Sequence, residues 1–277
     1  MHYIGLLAGY LEYGLNKIAA SVNNEVDIVR EFVDFVSSDV AVKFNRISKN
    51  KYLSIKTRFV HQKPYAIFVN PQKICGKTRV ELGDILFVVK HQRDGALIDH
   101  RGSFSQAKLY KSGWEIKAHQ FEFLHNIRNI TFRFGNKVYQ DLKIQPINWD
   151  ISSRSKWFSN FLLLSNIFSL SFPPNYFVNF YNRKCNNFYV NYWMSERSYR
   201  NLIQYYPRWS FRNFILNFLK RGGRGFRMNN ELYDLVKMLY NLVGLHVDPP
   251  EEFKGFVEED EKGFAVIEFK IIEERIR

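Results

Sequence analysis

Three polar side chains interrupt two apolar runs: Asp84 heads "DILFVV" (84–89), while Gln106 and Lys108 lie within "FSQAKL" (104–109). Hydrolysing a phosphodiester at neutral pH calls for a cation on a phosphate oxygen, an activated water and positive charge facing the developing anion. Carboxylate and amide oxygens are hard ligands suited to magnesium, and an ammonium can orient or deprotonate water and offset transition-state charge. In extended chain Gln106 and Lys108 share one face, with Ala107 opposite. If the two runs are neighbouring strands, Asp84, Gln106 and Lys108 converge within about one strand spacing, roughly 5 Å. The competing reading is structural: Asp84 ends a turn, Gln106 is incidental, and Lys108 snorkels from a strand end.

The elements that would position these groups follow from periodicity. Ile4, Leu7, Leu11, Leu15, Ile18 and Val22 recur at three- and four-residue steps, which predicts an amphipathic helix. "NEVDIVREFVDFV" repeats that spacing with Asn24 placed to cap it. From about residue 40 the period becomes two, and "AVKFNRI", "YLSIKTRFV" and "YAIFV" are expected as strands. "DILFVVK" and "RGSFSQAKL" continue the sheet as a hairpin around the polar, Gly-containing "HQRDGALIDH". "WEIKAHQFEFLHNI" fits a short helix and "NITFRFG" a further strand. Beyond these, "YFVNFYNRKCNNFYVNYW" reads as a hairpin, "SFRNFILNFLK" and "NELYDLVKMLYNLV" as helices, and the tail from Gly255 as a terminal hairpin.

This order, helix, strands, helix and strand around an Asp followed 22 positions later by Gln-x-Lys, resembles the PD-(D/E)XK, or restriction-endonuclease-like, nucleases. The particular likeness is to the branch with Gln-x-Lys in place of Glu-x-Lys, and it covers roughly residues 1–135. It implies an α/β (α+β) fold with a central mixed β-sheet flanked by helices, and a divalent-metal-dependent endonuclease acting on DNA, less often RNA. Asp84 would take the metal-ligand role, Gln106 the second acidic position and Lys108 that of the catalytic lysine. Mg2+ or Mn2+ would be the cofactor. Many relatives cut both strands as dimers, so by analogy a homodimer is a further possibility. The amide at Gln106 removes one negative charge, and the superfamily includes inactive members. The alternative is therefore a nucleic-acid-binding or scaffold protein that retains the fold.

Further residues could support such a site. Glu81, three residues before Asp84, could complete the metal shell or be a strand-edge charge. Some branches place a Glu on the first helix; Glu12 and Glu25 are the positions here, with a solvated helix surface as the ordinary reading. Gln120 matches a helix Gln found in some family nucleases, although Leu124 stands where those carry Tyr. Arg221, Arg224 and Arg227 in "RGGRGFR" could clamp phosphates from a loop or simply join two helices. His119 and His125 are six apart and do not share a helix face for metal binding.

Composition bounds the rest. A hydrophobic share of 46% and a charged share of 24% are those of an ordinary folded protein. The formal charge of +13 favours polyanionic partners, nucleic acid first. At 277 residues the chain could be one elaborated domain, or a 1–150 nuclease core with a 151–277 α+β extension belonging to the same domain or to another. Aromatics interleaved with Asn and Arg over 176–212 could stack bases, but large rings more often build core. The two cysteines, Cys75 and Cys185, have no metal-ligand spacing and suggest no disulfide framework, which fits a reducing cytoplasm. The N-terminal stretch lacks a basic leader, and no apolar run is long enough to span a membrane.

Overall fold

The computed structural model describes residues 2–48, 50–60, 65–67, 74–77, 79–125, 159–174, 176–177, 181, 185–190, 209–227 and 263–274. Helix α1 (His2–Ser21) buries Leu7, Leu11 and Leu15 from the expected stripe, together with Ala8 and Ala19. Helix α2 (Glu25–Phe35) starts where predicted: the Asn24 side chain accepts from the Asp27 N–H at 2.8 Å, a cap of the kind that stabilises by about 1 kcal/mol. A π turn (Val36–Val40) and a short α3 (Ala41–Lys43) prolong it, so "AVKFNRI" is helical at its start and only Arg46–Ser48 forms a strand, β1. Val36 and Val40 explain the difference, since both are fully buried on the continuing helical face.

The strands that follow are β2 (Lys51–Val60), β3 (Tyr65–Ile67), β4 (Arg79–Glu81), β5 (Ile85–Arg93), β6 (Ala96–Leu109) and β7 (Trp114–Ile116). Strands β5 and β6 are the expected hairpin, turning at Asp94 and Gly95 with φ of 50° and 81°. Two successive positive φ angles match the right-handed twist of the strands, and the second falls on the residue without a Cβ. The "WEIKAHQFEFLHNI" stretch divides into strand β7 and helix α4 (Ala118–His125) rather than forming one helix, because Trp114–Ile116 pairs with another strand.

After residue 158 come β8 (Ser159–Leu164), β9 (Ser169–Phe172), β10 (Phe188–Val190), α5 (Phe211–Phe218), β11 (Phe226–Arg227) and β12 (Phe264–Glu273). Helix α5 matches its prediction. Strand β10 pairs with β7, and the remainder of the expected 176–193 hairpin is only partly within the described residues. "NITFRFG" and "NELYDLVKMLYNLV" lie outside them. The tail's described part is a single strand whose partners are distant in sequence: β12 runs antiparallel to β2 and parallel to β5.

Among the described residues, eight strands share one mixed sheet in the order β1-β2-β12-β5-β6-β8-β9, with β11 paired to β6. Strands from both sides of residue 150 therefore build one sheet, and the fold is α+β with a central mixed sheet flanked by helices. One face carries Ile85, Phe87, Val89, Ala107, Leu162 and Ile267 against α1, α2 and α5. The other carries Leu86, Val88, Phe104 and Phe161, all buried. A relay of ring contacts, Phe161 on Phe177, Phe177 on Phe188 and Phe188 on Phe121, links this second face to β10 and α4. Among the described residues, no helix is long and apolar enough to cross a membrane.

The cysteine expectation needs correction. Cys75 and Cys185 are joined as a disulfide across 110 residues of sequence, tying the β3–β4 connection to the segment that leads into β10. Sequence spacing could not reveal this, because folding alone brings the two Cα atoms to 5.1 Å. Disulfides persist mainly in oxidising surroundings, so cysteine usage gives no support to a reducing compartment.

Candidate active site

Asp84 stands immediately before β5, where the β-ladder supplies its backbone with partners on both sides. Its N–H donates to the Ser105 carbonyl at 2.8 Å, and its carbonyl accepts from the Ala265 N–H at 2.8 Å. The residue is thereby fixed between β6 and β12, the two neighbours of the central strand β5. Its side chain turns to the end of β6, where Oδ2 accepts the Ala107 N–H at 2.7 Å and Gln106 Nε2–H at 2.5 Å. Asp84 and Gln106 are 3% and 1% exposed, so this hydrogen-bonded pair is buried.

The antiparallel β5–β6 register accounts for the convergence. Leu86 opposes Phe104, so continuing the alternation by two residues sets Asp84 beside Gln106 on the same face, with Lys108 next along. Lys108 is 5% exposed, and its Nζ lies 3.7 Å from Glu25 Oε2. The other Glu25 oxygen accepts the Leu109 N–H at 3.0 Å. Glu25 opens α2, so the helix that packs on one face of the sheet presents a carboxylate at the end of β6.

A cleft of about 710 Å3 opens at this end of the sheet, with Glu25, Glu81, Lys108, Gln120, Lys117 and Tyr189 in its wall. Gln120 is 1% exposed and donates through Nε2 to Glu81 Oε2 at 3.2 Å, which joins α4 to β4. Two glutamine–carboxylate pairs thus recur in one region: Gln106 with Asp84 and Gln120 with Glu81. In each, the buried amide oxygen Oε1 accepts no hydrogen bond among the described residues. An unpartnered buried acceptor costs about 1–3 kcal/mol, which a cation or an incoming donor would relieve.

Several further placements follow. Of the two helix glutamates, Glu25 reaches the site, whereas Glu12 accepts the Arg212 N–H at the start of α5 and sits apart from it. Burial pushes the Glu12 carboxyl above its ordinary pKa, with Arg212 opposing that shift. His119 is half-buried on α4; its pKa is lowered first by desolvation and then by the charges of Lys117 and Lys77. His125 stacks on Phe121 with ring centroids 5.2 Å apart.

Arg221 and Arg224 are not brought to the cleft. They belong to the turn after α5, held near the middle of β6 by the buried Arg101. That guanidinium donates to Asp99 Oδ2 at 2.9 Å, to the Phe218 carbonyl at 2.9 Å, and to the Lys220 and Arg224 carbonyls. Asp99 also accepts the Gly222 N–H at 2.8 Å. Arg227 follows in β11, paired opposite Arg101. Among the described residues no three His, Cys, Asp or Glu side chains form a ready-made metal cage. Glu81 and Gln120 line the cleft, and Asp84 and Gln106 are buried at the same end of the sheet; their oxygens are hard donors of the kind magnesium or manganese takes, with waters and a substrate phosphate completing a shell.

Sequence reasoning passed over Tyr189, Lys111 and Lys117, because nothing along the chain ties β10 to the end of β6. Compared with family models, curated proteins and solved structures, the chain matches none.

Proposed function

We propose that the protein is a divalent-metal-dependent nuclease that hydrolyses phosphodiester bonds of DNA, in the manner of the PD-(D/E)XK enzymes it resembles. The observation that carries this reading is the buried Asp84–Gln106 pair, with an amide oxygen unpartnered among the described residues beside the carboxylate, on the strand end whose Lys108 lines a polar cleft. Asp84 and Gln106 would hold the cation, and Glu81 and Gln120 would supply further oxygens. When bound there, Mg2+ or Mn2+ would supply Lewis-acid polarisation of a phosphate oxygen and lower the pKa of water.

Lys108 is the group that orients the attacking water and faces the charge that develops on phosphate. Glu25 steadies it: the carboxylate is anchored on the Leu109 N–H and leaves its second oxygen to the ammonium. The net charge of +13 draws the polyanionic substrate toward the protein, with greatest effect at low salt. A role in DNA processing or in defence against foreign DNA is compatible with this chemistry and rests on fold-level analogy.

One observation favours a second reading. Gln106 donates its N–H to Asp84, so the amide already satisfies the carboxylate that a cation would need. If that pair is permanent, the chain is a nucleic-acid-binding scaffold that retains the fold without the chemistry. Incubation of plasmid and of single-stranded circular DNA with protein and Mg2+ or Mn2+ separates the two readings. Cleavage that EDTA stops and Asp84→Asn abolishes supports the nuclease. Intact DNA at every metal concentration, with retained salt-sensitive binding, supports the scaffold.

A further inference from the structure

The β7–β10 ribbon at the cleft differs from the aromatic packing around it. Along β10, Phe188 is half-buried against Phe121 and Phe177, Val190 is 2% exposed, and Tyr189 between them is 56% exposed in the cleft wall. Among the described residues, the Tyr189 ring makes no ring contact. Strand alternation sends it away from the core, opposite Glu115 across the ladder. An exposed ring is unremarkable by itself; its position matters because two lysines without carboxylate partners among the described residues share the cleft wall with it.

The cleft wall holds as many carboxylates as cations, and they differ in what holds them. Arg30 is engaged by Asp27 at 2.5 Å, and Lys108 by Glu25 at 3.7 Å. Among the carboxylates, Glu81 accepts from Gln120, and Glu115 accepts Asn187 Nδ2–H at 2.7 Å. Lys111 and Lys117 remain, both exposed and both without a carboxylate partner among the described residues. A flat ring with two available ammonium groups matches one stacked base and its flanking phosphates. Duplex DNA is a poorer match, because its bases are stacked internally and its two strands would require a wider basic face than two lysines provide.

We infer that the cleft receives single-stranded nucleic acid, with one base stacked on Tyr189 and the adjoining phosphates on Lys111 and Lys117. This selects the substrate class of the nuclease proposed above and rests on that reading only for the chemistry, not for the binding. The chain entering beside Tyr189 runs along the wall that contains Lys108, so stacking sets which phosphate reaches the ammonium.

The test is fluorescence anisotropy in EDTA with a labelled 12-nucleotide single strand and a hairpin duplex of equal length, using wild type, Tyr189→Ala, Tyr189→Phe and the Lys111→Ala/Lys117→Ala double variant. Base–aromatic stacking worth about 1–3 kcal/mol corresponds to a loss of roughly tenfold or more in single-strand affinity for Tyr189→Ala. Tyr189→Phe keeps the ring and retains affinity, and the lysine double variant weakens binding and flattens its salt dependence. Wild-type protein should prefer the single strand to the duplex by a similar factor. Equal affinity for the two DNAs, or unchanged binding by Tyr189→Ala, overturns the inference. Metal-dependent cleavage without this preference sinks the inference alone, whereas Tyr189-dependent binding without cleavage sinks the nuclease reading alone.

Discussion

The middle and the end of β6 are built from the same kinds of residue and reach opposite outcomes. In the middle, Arg101 is 1% exposed, and its guanidinium is matched by the Asp99 carboxylate and three backbone carbonyls from the end of α5 and the turn after it. At the end, Lys108 has one carboxylate at 3.7 Å, and the two nearby glutamine amides keep acceptor oxygens that no described residue satisfies. Saturated polar groups fix a fold, and under-satisfied ones beside a cleft leave capacity for a ligand. The "RGGRGFR" stretch and "FSQAKL" look equally suited to phosphate as strings; the cleft separates them, since Lys108 lines it and Arg221 and Arg224 do not.

That contrast breaks most readily at Arg101. Arg101→Leu leaves Asp99 buried without its cation and strips three carbonyls of their donor, so a loss of about 3–5 kcal/mol is expected in urea unfolding. A loss below about 1 kcal/mol would mean that the turn after α5 is held some other way. Gly223 tests the same turn from its backbone side: a Cβ there would overlap the Asn217 carbonyl. Gly223→Ala should therefore cost about 2–3 kcal/mol, and wild-type stability would show that the turn has room to shift.

Protonation probes the middle of the β5–β6 hairpin next. His91 on β5 is buried, and its pKa is depressed to about 4, by desolvation first and also by Arg101 and Arg221, with Asp99 opposing. His100 is likewise depressed to about 4, chiefly by desolvation and by Lys90, with Glu268 and Asp99 opposing. Both values lie below the ordinary 6.5, so the unfolded chain binds more protons between those limits and stability falls as pH drops from 6.5 toward 4. With a discount for solvent near His100, unfolding at pH 5 should require about 2 kcal/mol less than at pH 7. An unchanged urea midpoint would contradict the burial of these rings.

The smallest stability effect is expected at the other end. Glu25→Gln keeps an oxygen for the Leu109 N–H and removes the charge facing Lys108, which should cost about 1 kcal/mol or less because Glu25 is partly exposed. Its effect should appear instead as an altered pH–rate profile for DNA cleavage. A stability loss as large as that of Arg101→Leu would assign this end of β6 to the scaffold too.

The β5–β6 hairpin and the shared face of Gln106 and Lys108 were legible in the sequence because alternation and a Gly-containing turn are local signals. Helix α2 and its Asn24 cap were legible for the same reason. Other features depended on partners that no local pattern names. Glu25 looked like a solvated helix residue until folding brought it to Leu109, 84 residues away. Strand β12 was recognisable as apolar and extended, but its insertion between β2 and β5 was not, since pairing choice leaves little mark on a strand buried on both faces. The Cys75–Cys185 bond and the β7–β10 pairing escaped notice for the same reason.

The central claim is that the end of β6 is organised for chemistry rather than for stability. Lys108→Met tests it most directly by measuring metal-dependent DNA cleavage under single-turnover conditions alongside urea unfolding of the same preparation. The account predicts that the cleavage rate falls by about a hundredfold or more while stability stays within about 1 kcal/mol of wild type. Cleavage at the wild-type rate, or a wild-type protein that cuts no DNA with either metal, would contradict it.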